Sequence, residues 1–549
     1  MAKNDNLKDF LANIADAIRE KTETTELINP QDFSDKILSI ETGSSSEASG
    51  VNDVNFFDYD GTLLHSFAAQ DFLSLTELPA LPSRDGLICQ GWNWSLVDAQ
   101  EYVQEYSKCD IGATYITDDG KTRLYIKILE GRLSVSLILT ITNSVTIDWG
   151  DGFVETMEAP GSPSQRTPSH NYDNSGDYCI TLSVPEGGSL AFNTSITGAS
   201  SNTNASRVYQ NIFQRVEIGK GVTSIGSKVF QKCFSLSSVT IPQGVTSIGS
   251  YAFETCCSLS SITIPQGVTS IGSYAFQNCY SLSSITIPQG VTSIGTYAFQ
   301  NCYSLSSITI PQGVTIINAQ LFADCYSLSS VTIPHGITSI DAYAFSECRS
   351  LSSVTIPQGV TSIGSYAFSE CRSLSSVTIP QGVTSIGSYA FQNCYSLSSV
   401  KILRGTTDIG GHAFMYCYNL KSISLPIELK TIGSEAFYCC KSLSSLELPL
   451  QLTSFGARAF SSCHSLVKVT IPKGITEIPV GSFEGNYGAA LYDFSSSETV
   501  PTLAATGAFS NIASDCKIVV PDLLYDEWIA ATNWSTYARY IVKASEYNA

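Results

Sequence analysis

The most conspicuous shortage in this 549-residue chain is charge. Asp, Glu, Lys and Arg make up 14% of it, against roughly a quarter in typical globular domains. Uncharged polar groups must therefore cover the surface, and Ser, Thr, Gln and Tyr supply them. Basic residues are the scarcer sign: 30 Lys and Arg face 49 Asp and Glu, a net charge of −19. Such a chain repels phosphate backbones, and no local basic patch offsets it, so no nucleic-acid partner is expected. No stretch approaches the roughly 18 consecutive apolar residues of a membrane-spanning helix, so no membrane insertion is expected. The N-terminus, MAKNDNLKDFLANIADAIRE, lacks a continuous apolar segment and a small-residue cleavage site. It does not read as a Sec signal peptide. Synthesis as a soluble cytoplasmic product is expected, with any extracellular role reached by another route such as lysis. The closely spaced cysteine pairs of a zinc site are also missing, although the chain has 17 cysteines; Cys256-Cys257 and Cys439-Cys440 are adjacent and do not fit that spacing. No metal and no cofactor is expected.

What the chain has in abundance is repetition. The unit SLSSVTIPQGVTSIGSYAFQNCY recurs with a period of 23. Eleven cysteines from Cys233 to Cys463 keep this step, as do leucines from Leu236 to Leu466 and phenylalanines from Phe230 to Phe483. A proline series from Pro242 to Pro380 is broken at Leu403 and resumes at Pro426, Pro449 and Pro472. Within a unit, SLSSVTIP places Leu, Val and Ile for a short strand with one buried face. Gly-Val-Thr-Ser-Ile-Gly reads as a turn and a second short strand, and Tyr-Ala-Phe-Gln-Asn-Cys as a helical or 3-10 turn. One unit cannot bury its apolar residues alone, so the units must stack. At about 4.8 Å per step, about twelve of them give a rod of roughly 55–60 Å. The cysteine ladder lies within reach of disulfide formation. An odd number of members in an inward apolar register favours buried free thiols instead.

The pattern L-x-x-[IV]-x-[IL]-P-x-x-[IV]-T-x-I-x-x-x-A-F-x-x-C resembles the BspA-like leucine-rich repeat of bacterial, protist and phage surface proteins. The resemblance covers about half the chain. It implies a leucine-rich-repeat solenoid over residues 206–485, within a multidomain and mostly β protein. It also implies adhesion or recognition rather than catalysis, so the chain is expected not to be an enzyme.

The repeat also displays rows of side chains. Tyr251, Tyr274, Tyr297, Tyr343, Tyr366 and Tyr389 stand two residues before the phenylalanine. Tyr280, Tyr303, Tyr326, Arg349, Arg372, Tyr395 and Tyr418 directly follow the cysteine. Tyr and Arg are enriched at binding hot spots, and Tyr can stack on sugar rings. These thirteen residues form a candidate ligand-binding ladder. The competing reading is that the rings pack on one another without a ligand. Asn278, Asn301, Asp324, Glu347, Glu370 and Asn393, just before the cysteines, add hydrogen-bonding groups. A threonine row from Thr240 to Thr378 reads as a solvated sheet face. The units between Lys401 and Leu448 depart from the pattern, either as drift toward the capping end or as a distinct binding segment.

The flanks read differently. Leu7, Phe10, Leu11, Ile14 and Ile18 form a helical stripe, continued after Asn29-Pro30 by Phe33, Ile37 and Ile40. A helical hairpin is expected over 1–42, serving attachment, with a flexible linker over 43–50. The segment IADAIREKTETTELINPQDFSDKI resembles N-terminal segments of tail-associated proteins of phages and prophages. That resemblance implies virion tail or baseplate partners and a virion-tail location, with the bacterial cell surface as the alternative. Fibre-like tail proteins are commonly trimers, so a homotrimer is one assembly it implies. Residues 51–121 read as a small α/β module of unknown role. Within it, Asp58-Tyr-Asp60-Gly-Thr62 resembles the first motif of haloacid-dehalogenase-type phosphatases, but the later Ser/Thr, Lys and acidic pair of that mechanism are not found at suitable spacing. A turn between strands is the better reading. Trp149-Gly-Asp-Gly152, His170-Asn-Tyr172 and Gly176-Asp-Tyr178 resemble PKD-type immunoglobulin-like domains. They imply a β-sandwich spacer over 122–196 with a structural His170. After Phe483 the period fails. Residues 486–549 are expected to cap the solenoid, with a final strand at 516–521 and an amphipathic helix from Asp526 to Tyr540. The expected partner is a bacterial cell-surface glycan or protein. The runner-up readings are an adhesin exported by a non-Sec route and a purely structural rod.

Overall fold

The computed structural model describes residues 54–57, 63–81, 87–92, 96–106, 109–117, 119–130, 133–185, 190–192 and 212–547. The expected helical hairpin and linker lie outside the described residues, as do Asp58 and Asp60. The chain divides into two compact units, Met1–Asp118 and Asp119–Ala549.

In the first unit, β1 (Val54–Phe57), β2 (Leu63–Phe67), β3 (Leu87–Trp92) and β4 (Cys109–Thr117) form one sheet in the order β2-β1-β4-β3. β1 is antiparallel to β2, with Phe57 opposite Leu63, and parallel to β4. Helices α1 (Ala69–Leu73) and α2 (Leu96–Tyr106) bring Phe72, Ala99 and Val103 onto Val54 and Phe56. The Gln100 amide of α2 reaches the carbonyls of Phe72, Leu73 and Leu75 at the end of α1.

The second unit has one continuous core running from Leu124 to Ile541. It begins with β5 (Thr122–Ile128), whose residues alternate between buried and half-exposed. β5 pairs on one side with Gly176–Ser183, and on the other with Phe213–Glu217. Phe213–Glu217 in turn pairs in parallel with Ser238–Thr240, the first strand of the repeats. The opposite sheet crosses as well, through bridges from Phe192 to Ile225 and from Ile225 to Ile248. The segment expected as a spacer therefore closes the N-terminal edges of both repeat ladders, edges that would otherwise present unpaired backbone groups. The seam is tight. A Cβ on Gly219 would sit 2.3 Å from the Gly120 carbonyl oxygen, and the Gly219 N–H donates to Thr122 Oγ1 at 2.9 Å. Buried Glu217 is paired by Arg215 and lies 4.0 Å from Arg123. At the far end of this segment, His170 lies between the Trp149 and Phe153 rings, with Nε2 2.6 Å from Asp151 Oδ2. It is part of a packed turn.

Each repeat is one coil, and most coils carry two short parallel strands. Ser261–Thr263 and Ser270–Ile271, for example, lie in register with Ser284–Thr286 and Ser293–Ile294 of the next coil. Inside, the phenylalanines from Phe230 to Phe483 stack with centroids 5.2–5.7 Å apart. The third side of the coil corrects the expected helical turn. Tyr274 and Asn278 are left-handed, with φ of 61° and 60°. Their N–H groups and that of Phe276 donate to Thr296, Gln300 and Ala298 of the next coil. Those of Ala275, Gln277 and Cys279 donate within the coil, to Gly272, Tyr274 and Phe276. A helix would keep every N–H for its own segment; here alternate groups tie neighbouring coils together. Left-handed backbone costs about 1–2 kcal/mol for a non-glycine residue, and the bonds between coils offset it.

The cysteines explain themselves in this frame. The Cys302 thiol donates to the Phe276 carbonyl at 3.3 Å, and the same bond recurs from Cys256 to Cys463 at 3.2–3.3 Å. Cysteine is small enough for the packed interior, yet it supplies a weak donor to a buried acceptor. All eleven ladder thiols are buried and unpaired, as the sequence suggested. Burial pushes them far above the usual thiol range, Cys463 to about 12, which removes the thiolate needed for reactivity.

The coil continues where the sequence period stops. Leu491–Asp493 and Lys517–Val520 extend the sheet, and Phe509 stacks on Phe483 at 5.3 Å. The single helix expected over 526–540 is two pieces: α3 (Tyr525–Ala530) and a 3-10 helix, Trp534–Tyr540. They are separated at Asn533, which has a φ of 67°. The break lets Trp528 and Trp534 both bury their rings against Phe494. Lys517–Val520 is not the last strand, because Ile541–Lys543 adds to it in parallel.

Two outcomes test this construction. A fragment covering 206–549 should self-associate, or melt roughly 5 °C or more below one covering 119–549. Monomeric behaviour and equal melting in sedimentation and circular dichroism would show that the shared sheets contribute nothing. Replacing Cys302 with Ala should cost about 1–2 kcal/mol in denaturant unfolding. In the native protein, iodoacetamide should label Cys257 and Cys439 while sparing Cys302; labelling of Cys302 at the rate of a free thiol would contradict its burial.

Candidate functional site

The left-handed positions aim the first tyrosine row outward along one side of the solenoid. Tyr251, Tyr274 and Tyr297 stack at 4.5 Å, and the row breaks at Gln320. Tyr343, Tyr366, Tyr389 and His412 resume it at 4.3–4.5 Å. The second row also runs in two stretches, Tyr280 to Arg349 and Arg372 to Lys441. Tyr280, Tyr303 and Tyr326 stack at 4.8 Å. The Arg349 guanidinium covers Tyr326 at 4.3 Å, and Arg372 lies 5.6 Å from the Tyr395 centroid. Tyr395 stacks on Tyr418 at 5.3 Å, and the Lys441 ammonium closes over Tyr418 at 4.7 Å. The alternation of Tyr and Arg seen in the sequence is therefore a run of ring stacking and cation–π contacts, each cation–π contact worth about 0.5–1 kcal/mol at an exposed site.

This geometry sets what the rows can offer. Interior ring faces are covered by their neighbours, so a sugar ring cannot lie on them. Ring edges, phenolic hydroxyls and the two guanidinium groups remain outward. His412, Lys441, His464 and Tyr487 belong to the rows although the sequence reading did not include them. Adding 23 to Tyr389 and to Tyr418 would have found the first two.

Between the two rows runs a polar ladder. Asn301 Nδ2 donates to Asn278 Oδ1 at 2.7 Å, and Asn393 Nδ2 to Glu370 Oε1 at 2.5 Å. Asp324, Glu347 and Glu370 place three carboxylates on successive coils. Arg349 and Arg372 pair with Glu347 and Glu370 at 2.8 Å. Burial, and then the neighbouring Glu347 charge, hold the Asp324 carboxyl above the usual range. The strand faces are quieter. Thr269, Thr292 and Thr361 donate their hydroxyls to the carbonyl of the threonine one coil back at 3.1–3.4 Å. Hydroxyls in that row serve the backbone and keep the surface wet without charge. Among the described residues, no helix is long and apolar enough to cross a membrane, and no group of three or more His, Cys, Asp or Glu is placed to hold a metal ion.

A family profile described as "BspA type Leucine rich repeat region (6 copies)" matches residues 201–329, 315–421 and 407–524. This chain belongs to the BspA-type leucine-rich repeat family. The matches extend past Phe483, in agreement with the coils that the structure places there. Among solved structures, a leucine-rich repeat protein from Bacteroides ovatus is 27% identical, with a TM-score of 0.56, covering 73% of this chain and 98% of that one. A leucine rich cell surface protein from Faecalibacterium prausnitzii is 31% identical, covering 56% of this chain and 91% of that one, with a TM-score of 0.38. No curated protein matches the sequence.

Asp324 gives a test of the polar ladder. With a raised pKa in the fold, its contribution favours folding at low pH and is lost as pH rises through the raised value. Asp324→Asn restores the residue found at 278, 301 and 393 and should raise the melting temperature at neutral pH. The gain should shrink to nothing in acid, below the ordinary aspartate range. A gain that persists unchanged there would assign the effect to packing instead of charge.

Proposed function

We propose that this BspA-type protein is a non-enzymatic recognition protein, and that its solenoid contacts a glycan or protein on a bacterial surface. In this reading it is a tail-associated receptor-binding protein of a phage. Residues 1–42 attach it to tail or baseplate proteins, and a PKD-type module spans 122–196. The observation that carries the recognition reading is the outward strip of phenolic hydroxyls, guanidinium groups and carboxylates, held on a coil whose interior barely varies. The Tyr, Arg, Asn, Asp and Glu residues that vary from coil to coil lie outside the core of Phe, Cys and Leu residues. The tail assignment is supported by the resemblance of residues 14–37. The alternative location is the bacterial cell surface.

One observation favours a second reading. Rings that cover each other stiffen a rod whether or not anything binds them. The two readings separate in a variant that keeps the stack and removes the polar groups: Tyr280, Tyr303 and Tyr326 to Phe, with Arg349 and Arg372 to Gln. Labelled full-length chain should bind selected strains in a panel of intact gut bacteria. The variant, folded by circular dichroism, should bind roughly tenfold more weakly or worse. Binding by neither protein to any strain would favour the structural rod, and equal binding by both would move the contact away from this row.

A further inference from the structure

The deviant coils between Lys401 and Leu448 add His412, Tyr418 and Lys441 to the two rows, but the rows do not account for the changes on their strands. Their outward strand face holds a depression of about 450 Å³, lined by Ser376, Thr378, Ser399, Lys401, Ser422 and Ser424. We propose that this depression binds an anionic polysaccharide, with the anion seated on Lys401 and the sugar hydroxyls on the surrounding Ser and Thr. This deepens the recognition reading above and rests on it.

Three observations converge. The first is the residue itself. Threonine occupies this register position in the preceding coils, through Thr355 and Thr378, and Lys401 replaces it. Thr378, Lys401 and Ser424 are direct partners in the ladder. The second is the absence of a counter-charge. Among the described residues Lys401 forms no ion pair. The nearest acid in its row, Glu447, stands two coils away, about 10 Å along the stack. Lys468, farther along the same sheet, is already matched by Asp493 at 3.8 Å. The repulsion of the acidic chain as a whole is screened beyond about 8 Å at physiological salt, so an anion in the depression meets Lys401 first.

The third observation concerns the hydroxyls. Ser375 and Ser398, just before the strands, donate to the carbonyls of Ser352 and Ser375 at 3.2 and 3.0 Å. Ser376, Thr378, Ser399, Ser422 and Ser424 make no side-chain hydrogen bond among the described residues. Each offers a donor and an acceptor to a ligand. Five free hydroxyls around one ammonium suit a polyhydroxylated anion better than a bare one. Buried Val377, Val400 and Ile423 sit beneath and fix the strand that presents them.

The test uses the full chain, with calorimetric titrations of a galacturonate tetramer, a sulfated tetrasaccharide, inorganic phosphate and neutral cellotetraose. Lys401→Thr restores the residue of the neighbouring coils and so keeps the fold. Lys430→Thr is the charge-matched control, since position 430 aligns with Thr407 and Thr453 on the other strand. At least one acidic oligomer should bind, roughly tenfold more weakly to Lys401→Thr and equally to Lys430→Thr. Added salt should weaken it. The oligomer that binds identifies the anion as carboxylate or sulfate. The proposal is overturned if no acidic oligomer binds, if cellotetraose or phosphate alone binds as tightly, or if Lys401→Thr changes nothing. The same variants on intact bacteria separate the two readings. Cells held equally by wild type and Lys401→Thr, with no oligomer bound, would sink this site and leave recognition standing. Cells that wild type does not hold would count against recognition itself.

Discussion

Every part of the solenoid depends on the hydrogen bonds that tie one coil to the next. They run along both short strands and, unusually, along the third side, where alternate N–H groups leave their own coil. A two-residue strand such as Ser270–Ile271 would be worthless alone. It persists because a copy lies above and below it. The same dependence holds the non-glycine left-handed residues in place: Tyr274 and Asn278 accept an unfavourable backbone because their N–H groups find carbonyls in the neighbouring coil. Interior side chains follow the same rule. The Phe276 carbonyl accepts from Cys279 of its own coil and from the Cys302 thiol of the next, so even the cysteine is defined by its neighbour.

A structure stabilised only by neighbours is vulnerable at its two ends. The ends here are closed in different ways. At the N-terminal end, both ladders continue into the strands of 122–192, so the neighbour is an antiparallel sheet whose buried residues, Trp149 among them, join the solenoid core. At the C-terminal end the coils lose their sequence regularity first and are then sealed by Trp528, Trp534 and the strand Ile541–Lys543. One hydrophobic core therefore runs through three regions that composition alone would separate.

The repeat architecture was legible in the sequence because a 23-residue period places identical residues in identical environments. Cys, Phe, Leu and Ile each announced a buried row. What the sequence concealed was backbone detail. Tyr-Ala-Phe-Gln-Asn-Cys has the composition of a helical turn, and only the coil-to-coil bonds make its left-handed residues affordable. The join at Phe213–Glu217 was hidden because an edge strand and a bridging strand share one alternation pattern. The coils beyond Phe483 were hidden because Phe509 follows it by 26 residues instead of 23. Of the candidate site, the sequence showed the rows but not their stacking. Identity at a fixed step reveals which residues are neighbours and leaves open which way their rings face.

The near-identity of successive coils has a further consequence, for length. Because each coil contacts only its two neighbours, and those neighbours are almost the same sequence, removing or duplicating one whole unit restores every contact it disturbs. Among the regular coils, a change of any other size shifts Cys, Phe and Pro out of their rows unless a loop absorbs it, as in the 26-residue step from Phe483 to Phe509. Length is thus quantised among the regular coils, in steps of about 4.8 Å. The reach of the molecule can therefore be altered by whole coils while its two ends stay as they are.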